Sequence, residues 1–237
     1  MKAERLDKIL AGTGIYSRSE ARRLIQRGSV LVDGRCVREP DCRVERSSEI
    51  VAEGERLDTA EYVYYMMNKP AGYVSAAKGE GSYPPVTELL PEPLRKRGLF
   101  CAGRLDADVT GLLLLTDDGG YAHRVMSPRQ EIEKTYEVRT DGPLSPADGD
   151  TLAAGVTLRS GVRYRPARLS IREEDPCLCL VTVTEGKFHE VKNLIAVLGR
   201  HVVAMRRLSV GGLSLDETLS PGAIRALDRA EAERVFI

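Results

Sequence analysis

A short polar segment bounded by two glycines, residues 103–111, carries side-chain types that acid–base or nucleophilic chemistry requires. Asp106 lies close to Arg104, and the segment leads directly into four consecutive leucines, residues 112–115, which indicate a buried element. Polar side chains at the edge of a buried element are a common place for a functional site. Asp106 is therefore a candidate catalytic carboxylate, with Arg104 as its cationic neighbour.

Two other interpretations of this segment stay open on composition alone. It could be a solvated acidic loop, or it could be a calcium loop of the EF-hand type. The calcium interpretation rests on four residues that match positions 1, 3, 6 and 12 of such a loop: Asp106, Asp108, Gly111 and Asp117. The last of these positions should be glutamate, and the leucine run replaces the ligand-rich second half of the loop. Both departures weigh against calcium.

A second candidate lies in residues 133–139, which alternate between apolar and polar side chains as a β-strand does. Tyr136 shares one face of this predicted strand with Val138. A strand tyrosine usually packs in the core. Its ring could also stack on a nucleobase, since every base offers a π-face.

A third candidate lies in residues 185–194. Apolar residues at helical spacing predict a short helix here: Val191, Leu194, Ile195 and Leu198. Gly199 is expected to end that helix. Lys192 falls at the border of the apolar stripe, where its ammonium is either snorkelling to solvent or partly desolvated beside an anion.

The N-terminal 46 residues predict a helix, a second basic helix and a β-hairpin. Ser17 and Glu20 form a capping box before the second helix, and Asp33-Gly34 between alternating apolar residues predicts the hairpin turn. This segment carries 11 basic and 7 acidic side chains. Arg18 and Arg22 lie on the polar half of the second helix. That face is either simply solvated or suited to nucleic-acid phosphates.

Composition limits the classes of protein to which the chain can belong. Its 237 residues carry 35 basic and 35 acidic side chains, so a histone-like basic coat is excluded, although a local basic face is not. No apolar run is long enough to span a membrane, and we expect no secretory signal. Five cysteines, none in a Cys-x-x-Cys pair, indicate reduced thiols and a cytoplasmic location, with no metal site.

Charge and pattern divide the chain into two domains. The acidic stretch 47–61 follows the basic N-terminal segment, and hydrophobic density rises from residue 62. We predict a small domain over residues 1–58, a linker at 59–61 and a large domain over 62–237. The large domain alternates like strands in four places, with few long helices between them: 62–67, 134–140, 162–171 and 178–184. This pattern argues against a doubly wound parallel sheet and predicts an α+β fold with a mixed, mostly antiparallel sheet.

The small domain resembles the alpha-L RNA-binding domain, which occurs in a small-subunit ribosomal protein and in several RNA-modifying enzymes. The whole chain resembles the RsuA-type pseudouridine synthases. Five motifs carry that resemblance, in this order: Asn68-Lys69-Pro70-Ala71-Gly72-Tyr73-Val74, Gly103-Arg104-Leu105-Asp106-Ala107-Asp108-Val109-Thr110-Gly111-Leu112, Glu133-Lys134-Thr135-Tyr136, Glu185-Gly186-Lys187-Phe188-His189-Glu190-Val191-Lys192, and Arg206 to Leu213.

The resemblance implies a large sheet with a central catalytic cleft and a reaction without cofactor or metal. It implies that Asp106 is the essential aspartate, that Tyr136 packs on the target base and that Lys192 is the cation beside Asp106. Arg104 and Lys69, which lie within the matching motifs, are expected to bind the substrate. Arg18 and Arg22 are expected to do so in the small domain.

The implied function is the conversion of a specific uridine of 16S (small-subunit) ribosomal RNA to pseudouridine, with base flipping. The net charge of zero and the absence of an apolar stripe indicate a monomer. The partner is ribosomal RNA, either free or in an assembly particle. Three alternatives stay open: the same reaction on 23S (large-subunit) RNA, a catalytically dead RNA-binding assembly protein, and a glycosidase that uses two carboxylates.

Overall fold

The computed structural model describes residues 3–76 and 78–237, and the chain divides into two compact units. The first unit comprises the residues up to Val63 together with Glu88–Leu99. The second comprises Tyr64–Thr87 together with Phe100–Ile237. Within the described residues, no helix is long and apolar enough to cross a lipid bilayer.

The first unit consists of short strands and three helices. In chain order its elements are β1 (Glu4–Arg5), α1 (Leu6–Gly12), α2 (Arg18–Gln26), β2 (Val30–Val32), β3 (Arg35–Cys36), β4 (Arg43–Val44), β5 (Ile50–Ala52), β6 (Glu55–Arg56) and α3 (Glu92–Arg97). A four-stranded sheet has the order β3-β2-β5-β6, and β1 pairs with β4. Its core consists of the buried faces of α1 and α2 against β2 and β5.

The predicted helix–helix–hairpin arrangement is confirmed. Ser17 caps α2 through the main-chain N–H of Glu20, and the Glu20 carboxylate accepts a hydrogen bond from the Ser17 N–H in return. Gly28 follows the helix with a positive φ of 82°. Asp33 and Gly34 both have positive φ between β2 and β3, as the tight turn of a hairpin requires.

The segment Glu88–Leu99 joins the first unit, although its place in the chain is inside the predicted large domain. Gly14, at a positive φ of 78°, packs so closely on the main chain of Pro93 that a side chain would overlap it. The Arg97 guanidinium also donates to the carbonyl oxygens of Ala60 and Glu61. The division at residues 59–61 stays a prediction, and it does not account for this return of the chain.

The second unit is built on one large sheet. Its elements are β7 (Tyr64–Lys69), β8 (Phe100–Cys101), β9 (Thr110–Thr116), α4 (Gly119–Met126), β10 (Lys134–Thr140), α5 (Pro146–Ala153), β11 (Val156–Thr157), β12 (Arg163–Tyr164), β13 (Arg168–Arg172), β14 (Asp175–Val183), α6 (Glu190–Val197), β15 (Val202–Val210), β16 (Leu213–Ser214), β17 (Ile224–Leu227) and α7 (Arg229–Glu233). Single 3₁₀ turns lie at Val86–Leu89, Pro128–Gln130 and Arg234–Phe236.

The strands of this sheet follow the order β13-β14-β10-β15-β9-β7-β17, with β8 on β9 and β16 on β15. The pairing is antiparallel except between β9 and β15. This confirms the predicted α+β fold with a mixed, mostly antiparallel sheet. The predicted strand at 162–171 is two strands, β12 and β13, because Pro166 between them cannot donate a ladder hydrogen bond.

The leucine run within β9 accounts for the central place of this strand in the sheet. Leu112 to Leu115 are all buried, as expected of a strand covered on both faces. Gly111 precedes them with a positive φ of 100°, and a side chain there would overlap the main chain of Arg207 on β15. A glycine at this position therefore lets β9 and β15 pair, and it fixes where the loop before β9 ends.

Candidate active site

A buried lysine supports the loop that carries Asp106 between β8 and β9. Lys69, the last residue of β7, is fully buried. Its ammonium donates hydrogen bonds to the carbonyl oxygens of Pro70 (3.0 Å), Asp106 (3.1 Å) and Val109 (2.9 Å). Burial lowers the pKa of Lys69 to about 8, and the nearby carboxylates of Asp106 and Asp108 act in the opposite direction.

This position does not fit the prediction that Lys69 binds the substrate through its side chain. An ammonium buried among main-chain carbonyl groups has its hydrogen-bonding capacity occupied by the protein, because it has only three protons to donate. Lys69 instead fixes the main chain on both sides of the candidate carboxylate. The motif around Lys69 resembles that of the RsuA-type enzymes, but the side chain itself stabilises the fold.

Lys192 on α6 is the cation that contacts the Asp106 carboxylate. Its ammonium donates to Asp106 Oδ2 at 2.9 Å and to Asp108 Oδ1 at 2.8 Å. Burial alone would lower the pKa of Lys192, but the two carboxylates outweigh it and the pKa is raised. For Asp108, burial alone would raise the pKa, but the hydrogen bond from Lys192 and its charge lower it. The arrangement is a cation shared by two carboxylates.

Asp106 keeps one oxygen available. Its Oδ2 also lies 3.4 Å from Nε2 of His189, which occupies the N-cap of α6 at a positive φ of 52°. Among the described residues, no hydrogen bond or ion pair reaches Oδ1, and 31% of the Asp106 side chain is exposed. The carboxylate is therefore held on one side and open on the other.

Tyr136 and Asp106 line the same small cavity, of about 80 Å³, over the central strands β10 and β15. Tyr136 is 8% exposed, and it shares the buried face of β10 with Val138 as the alternation predicts. The register of β10 against β15 shifts between Thr135 and Tyr136. Irregularities of this kind re-aim side chains and are frequent beside active sites.

Two arginines flank this cavity in different ways. Arg104 lines it with an exposed side chain that lies 3.4 Å from the Glu80 carboxylate. Arg207 is buried and donates to the carbonyl oxygens of Leu112 and Arg104. Its guanidinium carbon is 6.0 Å from the centre of the Tyr136 ring. Arg104 is therefore accessible at the rim, whereas Arg207 supports the ring and the loop from within the sheet.

Arg18 and Arg22 belong to the first unit, where a single carboxylate organises them. Asp7 is fully buried, and Arg5 donates to both of its oxygens at 3.0 Å. Arg22 Nε donates to Asp7 Oδ2 at 3.0 Å, and Arg18 Nε lies 3.8 Å from the same oxygen. Both α2 arginines remain more than half exposed. Three guanidinium groups thus converge on one point of the surface.

The structure brings Asp106, Lys192, Tyr136 and Arg104 together and leaves the other predicted residues elsewhere. The shared role of Asp108 and the approach of His189 are additions that the sequence pattern alone does not indicate. The calcium interpretation of the loop is not supported, because the Lys192 ammonium lies against the two carboxylates that would bind the ion. Within the described part of the chain, no group of three His, Cys, Asp or Glu side chains is placed to hold a metal.

Comparison with known proteins shows the family to which the chain belongs. The profile of the RNA pseudouridylate synthase family matches residues 63–196, and the S4 domain profile matches residues 4–50. The chain belongs to the RNA pseudouridylate synthase family. It is therefore an isomerase with an N-terminal S4 domain, as the resemblance implied.

Three similar members of the pseudouridylate synthase family cover the chain almost completely. An uncharacterized RNA pseudouridine synthase of Bacillus subtilis is 40% identical over 96% of both chains. The ribosomal small subunit pseudouridine synthase A of Escherichia coli is 38% identical, over 98% of this chain and 99% of its own. A crystal structure of a pseudouridylate synthase is 37% identical, with a TM-score of 0.69 over 98% of this chain and 99% of that one.

Proposed function

We propose that this protein isomerises a specific uridine of 16S (small-subunit) ribosomal RNA to pseudouridine, with Asp106 as the essential carboxylate and no cofactor. One observation carries the proposal. Asp106 is paired with Lys192 on one oxygen and open on the other, beside Tyr136 in a single cavity. The choice of RNA is supported by relatives of nearly equal length that are named small-subunit enzymes.

The proposed reaction rearranges bonds within one nucleotide. The glycosidic bond between C1′ and N1 breaks, the uracil rotates, and C5 forms a bond to C1′. The hydrogen on C5 then leaves as a proton, and N1 gains one. Atoms and electrons balance without an oxidant, a reductant or a group donor, so side chains of the protein can supply the chemistry.

Base flipping gives the uridine access to the cavity. A base inside a duplex cannot be reached, and its extrusion costs a few kcal/mol. We assign Tyr136 to recover part of that cost, because stacking of a base on an aromatic ring is worth about 1–3 kcal/mol. Arg104, exposed at the rim of the cavity, is suited to contact the flipped nucleotide.

The role of Asp106 requires an ionised carboxylate. The free Oδ1 can attack C1′ or take the proton of the 2′-hydroxyl, and both steps need the negative charge. Lys192 places a positive charge within hydrogen-bond distance of the other oxygen. Lys69 holds the main chain that aims the carboxylate.

The S4 domain supplies affinity that does not depend on sequence. We assign Arg18 and Arg22 to phosphate groups of the RNA, because they stay exposed while Asp7 fixes their direction. Arginine contacts of this kind position an RNA without reading its bases. We further propose that the enzyme works in the cytoplasm as a monomer.

Tritium release tests the proposal directly. Small-subunit ribosomal RNA labelled with tritium at C5 of uridine loses label when C5 bonds to C1′. We expect release by the wild type and none by Asp106→Asn, which keeps the size of the side chain but not its charge. The variant should bind the same RNA with unchanged affinity, which separates loss of chemistry from loss of binding.

Other outcomes select among the alternatives. Release from large-subunit RNA but not from small-subunit RNA, either free or in assembly particles, would overturn the choice of substrate and keep the reaction. Binding without release from any ribosomal RNA would favour a catalytically inactive RNA-binding protein. Full activity of Asp106→Asn would remove this carboxylate from the mechanism.

A further inference from the structure

A basic hairpin lies beside the candidate active site, and the proposed chemistry does not use it. The net charge of the whole chain is zero, but between residues 151 and 172 it carries five arginines and no acidic residue. The arginines are all exposed: Arg159, Arg163, Arg165, Arg168 and Arg172. The first two belong to residues 156–164, which comprise β11, a turn and β12. We call residues 156–164 the arginine hairpin.

A buried tyrosine attaches the arginine hairpin to the helix that carries Lys192. Tyr164 is 2% exposed, whereas the arginines before and after it in the chain are exposed. Its hydroxyl accepts a hydrogen bond from Asn193 Nδ2 at 2.7 Å. Asn193 directly follows Lys192 on α6, so the hairpin is fixed to the same helix as the cation that contacts Asp106.

Lys187 makes a second connection, from the rim of the cavity itself. Its side chain lines the cavity that Asp106 and Tyr136 share. Its ammonium donates to the carbonyl oxygen of Arg163 at 2.6 Å and lies 5.8 Å from the centre of the Tyr164 ring. The same ammonium pairs with Glu185 at 2.8 Å. Lys187 therefore links the rim of the cavity to the main chain of the arginine hairpin.

Charge pairing distinguishes the hairpin arginines from Arg165 and Arg168. Arg165 pairs with Glu131, and Arg168 pairs with Glu133. For Arg159 and Arg163, no ion-pair partner is found in the part of the chain that the structure describes. The guanidinium groups of Arg159 and Arg163 are therefore available to bind an anion from outside the protein.

We propose that Arg159 and Arg163 bind backbone phosphates of the RNA strand next to the target uridine. This inference rests on the proposed function and extends it to a second RNA contact, in the catalytic unit. A flipped nucleotide stays joined to its neighbours, so their phosphates must pass the rim of the cavity. Arginine binds phosphate through two parallel hydrogen bonds. RNA is favoured over an acidic protein because the hairpin continues a rim that already accepts a nucleotide.

The test compares two double variants of the full-length protein. Arg159→Gln/Arg163→Gln removes the hairpin charges. Arg229→Gln/Arg234→Gln is the matched control, since both of these arginines are exposed and follow β17, at the opposite edge of the sheet. Steady-state tritium release from C5-labelled small-subunit RNA gives kcat and KM. Filter binding between 50 and 300 mM salt gives the salt dependence, and thermal unfolding verifies that both variants fold.

We expect the hairpin variant to raise KM about five- to tenfold at physiological salt with kcat unchanged. The slope of log affinity against log salt should fall by about 1 to 2, since each lost phosphate contact removes somewhat less than one unit. The control variant should match the wild type in both measurements.

Three results would overturn the proposal. The first is a hairpin variant with the KM and salt slope of the control. The second is a fall in kcat at constant KM, which would mean that the hairpin acts through α6 on the chemistry. The third is a defect seen only on assembly particles and not on free RNA, which would indicate a protein partner. A wild type that releases no tritium but binds RNA would overturn the proposed function, and the salt slope would then decide the hairpin proposal alone.

Discussion

Two carboxylates, one in each unit, meet basic side chains in opposite ways. Asp7 in the first unit is fully buried, and three arginines converge on it. Asp106 in the second unit is partly exposed and shares a single lysine with Asp108. At Asp7 there are more cations than carboxylates. At Asp106 there are more carboxylates than lysines.

This difference separates a carboxylate that organises from one that reacts. Both oxygens of Asp7 accept hydrogen bonds from guanidinium groups, so the group can hold arginines in place but has little capacity left for a ligand. The Asp106 carboxylate is contacted through Oδ2, by Lys192 and His189. No contact to its other oxygen is found among the described residues, and Asp106 lines the cavity, so a substrate atom can approach it. Substitutions around Asp106 should therefore change the chemistry, whereas substitutions around Asp7 should change stability and RNA affinity.

The largest effect is expected from Lys192→Met, which removes the ammonium that contacts the Asp106 carboxylate. We expect kcat to fall about 100-fold, because misplacement of a reacting group by a small distance costs that much. Lys192 keeps the pKa of Asp108 below the value that burial would give it. Without this cation two neighbouring carboxylates repel each other, and one binds a proton more readily. The acidic limb of the pH–rate profile should therefore move to higher pH.

Lys192→Arg is the matched control, since it keeps the positive charge but not the geometry of the ammonium. It should retain the pH profile of the wild type at a reduced rate. A Lys192→Met profile parallel to that of the wild type would contradict the pairing of this cation with Asp106.

A smaller effect is expected from Lys69→Met, which leaves Asp106 and Lys192 in place but removes the support of the loop. The carbonyl oxygens of Pro70 and Val109 would lose the Lys69 donor, and a buried unsatisfied polar group costs about 1–3 kcal/mol. We expect a lower unfolding temperature and a roughly tenfold lower kcat with KM almost unchanged. A rise in KM at constant kcat would instead restore Lys69 as a substrate-binding residue.

The Asp7 cluster should respond in stability and affinity and not in chemistry. Asp7→Asn should lower the free energy of unfolding at pH 7 by about 2 kcal/mol, the usual value of hydrogen bonds to a charged group. It should also raise KM severalfold, because Arg18 and Arg22 lose their common anchor. The value of kcat at saturating RNA should not change, and a fall in kcat would contradict the division between the two clusters.

Acid should abolish the difference in unfolding free energy between the wild type and Asp7→Asn. The hydrogen bonds from Arg5 lower the pKa of Asp7 against the opposing effect of burial, so the folded state binds a proton less readily than the unfolded state. The stabilisation is complete above the ordinary aspartate value of about 3.9 and disappears as the pH falls through the lowered pKa of the folded state. Urea unfolding of the wild type and Asp7→Asn at pH 7 and pH 3 measures this convergence.

Local signals explain why much of the first unit could be predicted. The capping box at Ser17, the glycine that ends α2 and the Asp33-Gly34 turn each depend on a few adjacent residues. The return of Glu88–Leu99 to this unit could not be predicted, because it depends on the close approach of Gly14 to Pro93, far away in the sequence. Patterns with periods of two or four residues contain no information about such a contact.

The same limit of sequence-based prediction applies to the candidate site. Asp106, Tyr136 and Lys192 lie in motifs with a recognisable order, so their meeting could be expected from the resemblance. The direction of the Lys69 side chain could not, since a lysine that faces a ligand and one that faces main-chain carbonyls have the same motif. The sharing of Lys192 by Asp108 depends on a loop conformation that Lys69 supports, and the sequence pattern gives no distances.

The smallest effect is expected from Tyr136→Phe, which tests whether the reactive cluster needs a third polar group. Within the described residues, no hydrogen bond to the Tyr136 hydroxyl is found, so its removal should not disturb the fold. We expect kcat and KM within about twofold of the wild type, whereas Tyr136→Leu should lose the 1–3 kcal/mol, roughly, that stacking provides. A Phe variant that binds RNA normally but turns over slowly would place the hydroxyl in proton transfer at C5. The open side of Asp106 would then face a second titratable group, which the Asp7 cluster, with guanidinium groups on both of its oxygens, does not have.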